Sequence, residues 1–256
     1  MSFRFDGCRR FECRAGRPFV GSVLLLSTLL LSTVGCVSTT GGLFTRPESS
    51  PEQPWQVPAD AYPSQRLYRV KYQGPEGEAG FKLTLYLEQA TRYRMLATDL
   101  GRKLWSLEVD PEGQATWIDY RRKEFCRADA AGALRFVPLA ELPVVAMPKL
   151  LLGLMPAEPA ASLEQSIDRV AFLDARGQLW NGGLAGNQVD WWSLIESGEP
   201  VIWWRREGDG GLFVDRDGQQ QIRWSQIVHE PLAKPLAVTS PPAKFRPDAC
   251  REAPAR

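Results

Sequence analysis

The stretch Phe81-Lys82-Leu83-Thr84-Leu85-Tyr86-Leu87-Glu88 alternates apolar and polar residues without a break. A period of two puts Phe81, Leu83, Leu85 and Leu87 on one face of a strand and Lys82, Thr84, Tyr86 and Glu88 on the other. The pattern extends in both directions. Upstream, Tyr68, Val70 and Tyr72 alternate with Arg69 and Lys71, and Gly74-Pro75-Glu76-Gly77 turns the chain between the two runs. Downstream, Tyr93, Met95 and Ala97 lead into Asp99-Leu100-Gly101-Arg102, which reads as a hairpin loop. Trp105, Leu107 and Val109 alternate next, Pro111-Glu112-Gly113 turns, and Trp117 and Phe125 fall in the following strands. Short strands joined by tight turns predict an antiparallel meander, as a sheet or barrel.

The meander is interrupted from about Leu134 to Met155 by a segment rich in Leu, Ala and Pro. Pro148 suits the first turn of a helix and Pro156 prevents continuation. Lys149-Leu150-Leu151-Leu152-Gly153-Leu154 is apolar almost all round, so a short helix there is buried or covers an apolar surface. Strands resume near Val170 and Phe172, then Gln178 to Trp180, Val189 to Leu194, Val201 to Arg205, Leu212 to Val214 and Gln220 to Val228, with Asp217-Gly218 a hairpin signal. The fold class expected is mainly β, an unclosed antiparallel barrel of about eleven strands with a short helical lid. The apolar face is either an ordinary filled core or the lining of a greasy cavity.

The N-terminus has a different character. Arg4, Arg9, Arg10, Arg14 and Arg17 precede an apolar run that ends in Thr33-Val34-Gly35-Cys36. A basic start, a short apolar core and a small residue before the cut describe a secretory signal peptide. The run from Phe19 to Val34 is short against the roughly 20 residues of a membrane-spanning helix. The segment before Cys36 resembles the lipobox of bacterial lipoproteins, with Thr33 where that pattern usually has Leu. The resemblance implies cleavage after residue 35, acylation of Cys36 and, with Val37 next, the periplasmic face of the outer membrane. Residues 36–64 then read as a flexible tether, broken by Gly41-Gly42, Pro47, Pro51, Pro54, Pro58 and Pro63. Its Trp55 either packs on the domain or touches lipid. Residues 65–230 form the folded domain, and 231–256 a Pro-rich tail that wraps or frays.

The formal net charge is +1, of which the first 35 residues hold +3, leaving −2 for the mature chain. That balance gives no footprint for nucleic acid and none for anionic lipid headgroups. Cys8 and Cys13 leave with the signal, and Cys126 and Cys250 remain either as a disulfide or as two unrelated thiols. The single histidine, His229, cannot build a triad or metal cluster alone. No phosphate-binding glycine loop and no zinc spacing is visible, so neither a cofactor, a metal nor catalytic residues are expected.

Several stretches resemble the outer-membrane lipoprotein receptor family LolB, within the LolA/LolB-like superfamily. They are Thr91-Arg92-Tyr93-Arg94-Met95-Leu96-Ala97-Thr98-Asp99-Leu100-Gly101, Leu104-Trp105-Ser106-Leu107-Glu108-Val109, Leu142-Pro143 with Lys149 to Leu154, and Leu212-Phe213-Val214-Asp215 through Gly218 to Ile222-Arg223-Trp224. The paired tryptophans Trp191-Trp192 and Trp203-Trp204 stand outside it. The resemblance implies a monomeric, non-enzymatic protein that accepts acylated lipoproteins from a LolA-like periplasmic carrier and inserts them into the outer membrane. Leu100 would be its membrane-insertion residue. Phe81, Leu83, Leu85, Leu87, Met95, Trp105, Leu107 and Trp117 would line the acyl-chain cavity, with Leu150, Leu151 and Leu154 from the lid. The alternatives are an assembly lipoprotein using the fold as a protein-interaction module, and a carrier of another lipid or glycolipid.

Overall fold

The structure, a computed structural model, describes residues 53–75, 77–131, 142–186, 188–216 and 218–248. Cys36, Asp217 and Cys250 lie outside the described residues. One sheet runs through the domain. Its first meander comprises β1 (Ser64–Gly74), β2 (Gly77–Leu87), β3 (Tyr93–Asp99), β4 (Arg102–Val109), β5 (Gln114–Asp119) and β6 (Glu124–Asp129). The second comprises β7 (Ala161–Gln165), β8 (Arg169–Leu173), β9 (Leu179–Ala185), β10 (Gln188–Glu196), β11 (Glu199–Glu207), β12 (Gly210–Val214) and β13 (Gln221–Pro231). Within each, consecutive strands pair as antiparallel neighbours, and β1 pairs with β13 to join the two halves. A two-residue strand, β14 (Arg246–Pro247), adds in parallel to the outer edge of β6. The described sheet has fourteen strands, against the eleven or so expected, and its end strands β14 and β7 do not meet. The barrel is therefore open.

Strand pleating separates two faces. Leu83, Leu85, Leu87, Tyr93, Met95, Ala97, Leu107 and Val109 are all buried in one apolar cluster. Bulges between Leu67 and Tyr68, Ala97 and Thr98, and Leu194 and Ile195 add twist and curl the sheet around that face. The insert between β6 and β7 closes over it with a 3-10 turn, Val144–Ala146, and α1 (Met147–Leu151). Pro148 sits in the first turn of α1, where its missing N–H costs no hydrogen bond. Gly153 adopts a left-handed φ of 72° just past the helix and ends it.

The described parts of both flanking segments, residues 53–63 and 232–248, pack on the domain. Trp55 is buried edge-on against Phe172, with ring centres 5.7 Å apart. The Pro54 carbonyl accepts from the Met155 amide at 2.9 Å, which ties the tether to the lid segment. The tail after Pro231 crosses the opposite side of the first meander. Arg94 and Glu108, opposite each other on β3 and β4, form an ion pair at 2.7 Å. Arg94 also donates to the Ala237 carbonyl, and Glu108 accepts from the Thr239 amide at 3.2 Å. Leu236 is buried beneath this strap. The Asp248 amide then donates to the Phe125 carbonyl at 2.7 Å, which sets this part of the tail alongside β6. Cys126 on β6 is disulfide-bonded.

Candidate functional site

The apolar interior collects most of the residues expected there. Leu83, Leu85, Leu87, Met95, Leu107 and Trp117 are buried on the concave face. Phe81 and Trp105 are half-buried at its margin, where Phe81 meets Trp105 edge-on and Trp105 stacks on Trp117 at 4.7 Å. From the lid, Leu150 and Leu151 join the cluster. Leu154 does not. It follows the left-handed Gly153, has left the face of α1, and is only half-buried. Val144, Met147 and Met155 of the same segment are in the cluster. With the lid in place this interior is packed as a core.

Besides the Met155–Pro54 bond, the Val145 amide donates to the Ala130 carbonyl at 3.0 Å, and two side chains reach the lid. The Tyr93 hydroxyl, fully buried, donates to the Val144 carbonyl. Burial pushes the Tyr93 pKa well above its usual value, so the phenol remains a donor at any working pH. At the other end Arg206 donates to the Val189 carbonyl at 2.9 Å and to the Gly153 carbonyl at 3.4 Å, with its guanidinium over Trp204. Burial lowers the Arg206 pKa, with Asp190 opposing that shift.

The Asp99-Leu100-Gly101-Arg102 turn forms the second part of the site. Leu100 has φ 45° and Gly101 φ 79°, so both central residues of this two-residue hairpin are left-handed. Asn and Gly occupy such positions readily; a leucine does not. Leu100 is 96% exposed, turned away from the core rather than folded back on it. Beside it lies a shallow cleft of about 340 Å³ lined by Phe81 and by three cations, Arg69, Lys71 and Lys82, with Asp99 the carboxylate. The net charge of the chain hides this cluster, because the register sets Arg69 directly across from Lys82.

The paired tryptophans divide between the two faces. Trp192 and Trp204 are opposite each other in the β10–β11 register, point inward and stack at 6.2 Å. Trp191 and Trp203 point outward and, with Arg205 and Pro200, border a cleft of about 400 Å³. The Trp191 indole lies against Gly183, where a Cβ would meet Nε1 at 2.1 Å. His229 is exposed near the end of β13. Among the described residues no cluster of three metal-ligating side chains occurs.

No protein-family model matches the chain, and no curated protein does. Among solved structures it is similar to a LolA superfamily protein from Nitrosomonas europaea, 10% identical over 67% of this chain and 87% of that one, with a TM-score of 0.46. It is also similar to a domain from Vibrio parahaemolyticus described as an outer membrane lipoprotein-sorting protein, 6% identical over 65% and 84% of the two chains, with a TM-score of 0.40. A third is a DUF1329 family protein from Desulfovibrio piger, 5% identical over 68% and 87%, with a TM-score of 0.45.

Proposed function

We propose that this protein is a lipid-anchored receptor of the periplasmic face of the outer membrane that takes acyl chains of lipoproteins under its lid and delivers them to the bilayer. The observation that carries the reading is Leu100. A large apolar side chain is held at the tip of a hairpin, in an unfavourable backbone region, almost wholly in water. Nothing in the packing of the domain calls for it. An apolar tip flanked by Arg69, Lys71 and Lys82 suits the boundary between anionic headgroups and acyl tails. Insertion of the tip thins the barrier between the concave face and the membrane.

In this reading transfer is passive. The concave face under α1 receives acyl chains from a LolA-like carrier when the lid lifts, and each buried methylene contributes about 0.8 kcal/mol. Direction follows from small differences in fit between carrier, receptor and bilayer. The acylated Cys36 and the following tether keep the receptor within reach of the target membrane, and no nucleotide, metal or covalent step is required.

The test is made in cells. Depletion of the protein should leave lipoproteins in the periplasm or at the inner membrane, and re-expression of the wild-type chain should return them outward. A Leu100→Asp chain should accumulate to the wild-type level and fail to restore sorting. Unchanged lipoprotein distribution on depletion excludes the receptor role and leaves the fold as an interaction module.

A further inference from the structure

The concave face is chemically divided. On β2, β3 and β4 it presents Leu83, Leu85, Leu87, Met95 and Leu107, which have no side-chain hydrogen-bonding atom suited to a lipid oxygen, and Tyr93, whose hydroxyl is already bonded to the Val144 carbonyl. Across β1, β13, β11 and β10 it presents the Tyr68 hydroxyl and the Nε1 of Trp224, Trp204 and Trp192, with the Nε of Arg66 at the margin. The Nε1 atoms of Trp192, Trp204 and Trp224 are without a hydrogen-bond partner among the described residues, and the Tyr68 hydroxyl interacts with Arg66. Tyr68, Trp192, Trp204 and Trp224 are all at least nine-tenths buried. The register places them on one face. Tyr68 opposes Leu83, Val70 opposes Trp224, Trp224 opposes Gly211, and Trp204 opposes both Phe213 and Trp192.

These groups are contiguous. A Cβ at Gly211 would meet Trp204 Nε1 at 2.1 Å and the Trp224 ring at 3.0 Å, so glycine lets the two indoles converge over β12. Trp192 stacks on Trp204. Burial raises the Tyr68 pKa well above its usual value, and the charge and hydrogen bond of Arg66 oppose that shift. An unpaired buried donor costs free energy that a phenylalanine in its place would not. Tryptophan and arginine donate and cannot accept. What completes this half of the face is therefore an acceptor.

Resting on the acyl-binding reading above, we propose that the row of donors binds the ester carbonyl oxygens of a diacylglyceryl group. The attached chains then lie along the apolar half, and the site orients its cargo as well as burying it. An ester carbonyl offers lone pairs and no proton, is joined directly to an acyl chain, and tolerates burial once hydrogen-bonded. The same chemistry is found in a diacylglyceryl lipopeptide and in a phospholipid, and the two are separated by measurement.

The experiment uses the purified protein and displacement of a fluorescent acyl probe. The ligands are a dipalmitoyl lipopeptide, its ether-linked analogue lacking the carbonyls, and the corresponding ester and ether phosphatidylglycerols. The ester lipopeptide should bind about tenfold or more tighter than its ether. The preference should fall toward unity in Trp204→Phe and Trp224→Phe while affinity for the ether is kept. The same ester preference among the phospholipids would assign the row to phospholipid esters as well; its absence there assigns it to lipoprotein cargo. In labelled wild-type protein the tryptophan Nε1–H resonances should move with ester and stay with ether, which tests the idea without a core substitution. Equal binding of ester and ether, with unmoved indole signals, overturns the donor role and leaves acyl binding standing. Binding of neither ligand overturns both.

Discussion

Leu100 occupies a backbone conformation that a β-carbon disfavours by about 1–2 kcal/mol, and it gains no burial in return. Replacing it with Asn, which suits a left-handed hairpin position, should stabilise the domain by about 0.5–1 kcal/mol in denaturant unfolding while weakening association with anionic vesicles. A Leu100→Asn chain that is no more stable than wild type would remove the argument that function holds the leucine there. Much at this scale was legible in sequence. Asp99-Leu100-Gly101-Arg102 reads as a hairpin loop because glycine follows and alternation resumes on both sides. The direction of the leucine was not legible, since periodicity cannot tell a tip residue that folds back from one that projects. Nor was the isolation of the Trp192, Trp204 and Trp224 nitrogens, which depends on what stands opposite them in three dimensions.

The lid and the strap decide how the elements behave together. Tyr93 on β3 reaches the Val144 carbonyl ahead of α1, a contact between residues far apart in sequence. Tyr93→Phe keeps the ring and removes that bond. It should cost about 1 kcal/mol and raise amide exchange over residues 144–151 roughly fivefold, with β2 and β3 unaffected. Uniform acceleration across the sheet would mean that the bond supports the whole domain and not the lid. Alternation made the long strands readable, and Pro148 located the helix start. β7 escaped because Ala161-Ser162-Leu163-Glu164-Gln165 is exposed throughout and carries no burial pattern to read. β14 escaped because two residues, Arg246 and Pro247, have no periodicity. The tail's course was undecided in sequence because a proline-rich segment has no inward face of its own. Its anchors, Arg94 and Glu108, belong to strands that read simply as alternating.

At the scale of the molecule, two meanders joined along β1 and β13 make an open sheet whose apolar concavity needs a cover. A closed barrel would not need the insert, and a flat sheet would have no interior. The sheet class, the insert and the apolar face could be argued from residue types, because hydrophobic period and turn chemistry determine them locally. The chemical division of the interior could not, because it arises from pairing of β1 with β13, remote in the chain. The near-neutral charge likewise gave no sign of the Arg69, Lys71 and Lys82 cluster, which forms only when β1 and β2 align.

The proposed function requires passage of acyl chains from this interior to a membrane. Its most direct measurement is transfer of a triacylated, fluorescently labelled lipoprotein from the purified protein to anionic vesicles, followed by flotation. Wild-type protein should form a soluble complex with the lipoprotein and lose it to the vesicles within minutes. Leu100→Asp should form the same complex and release it at least tenfold more slowly. Failure of the wild-type protein to hold the acylated form in preference to the unacylated one would contradict the account.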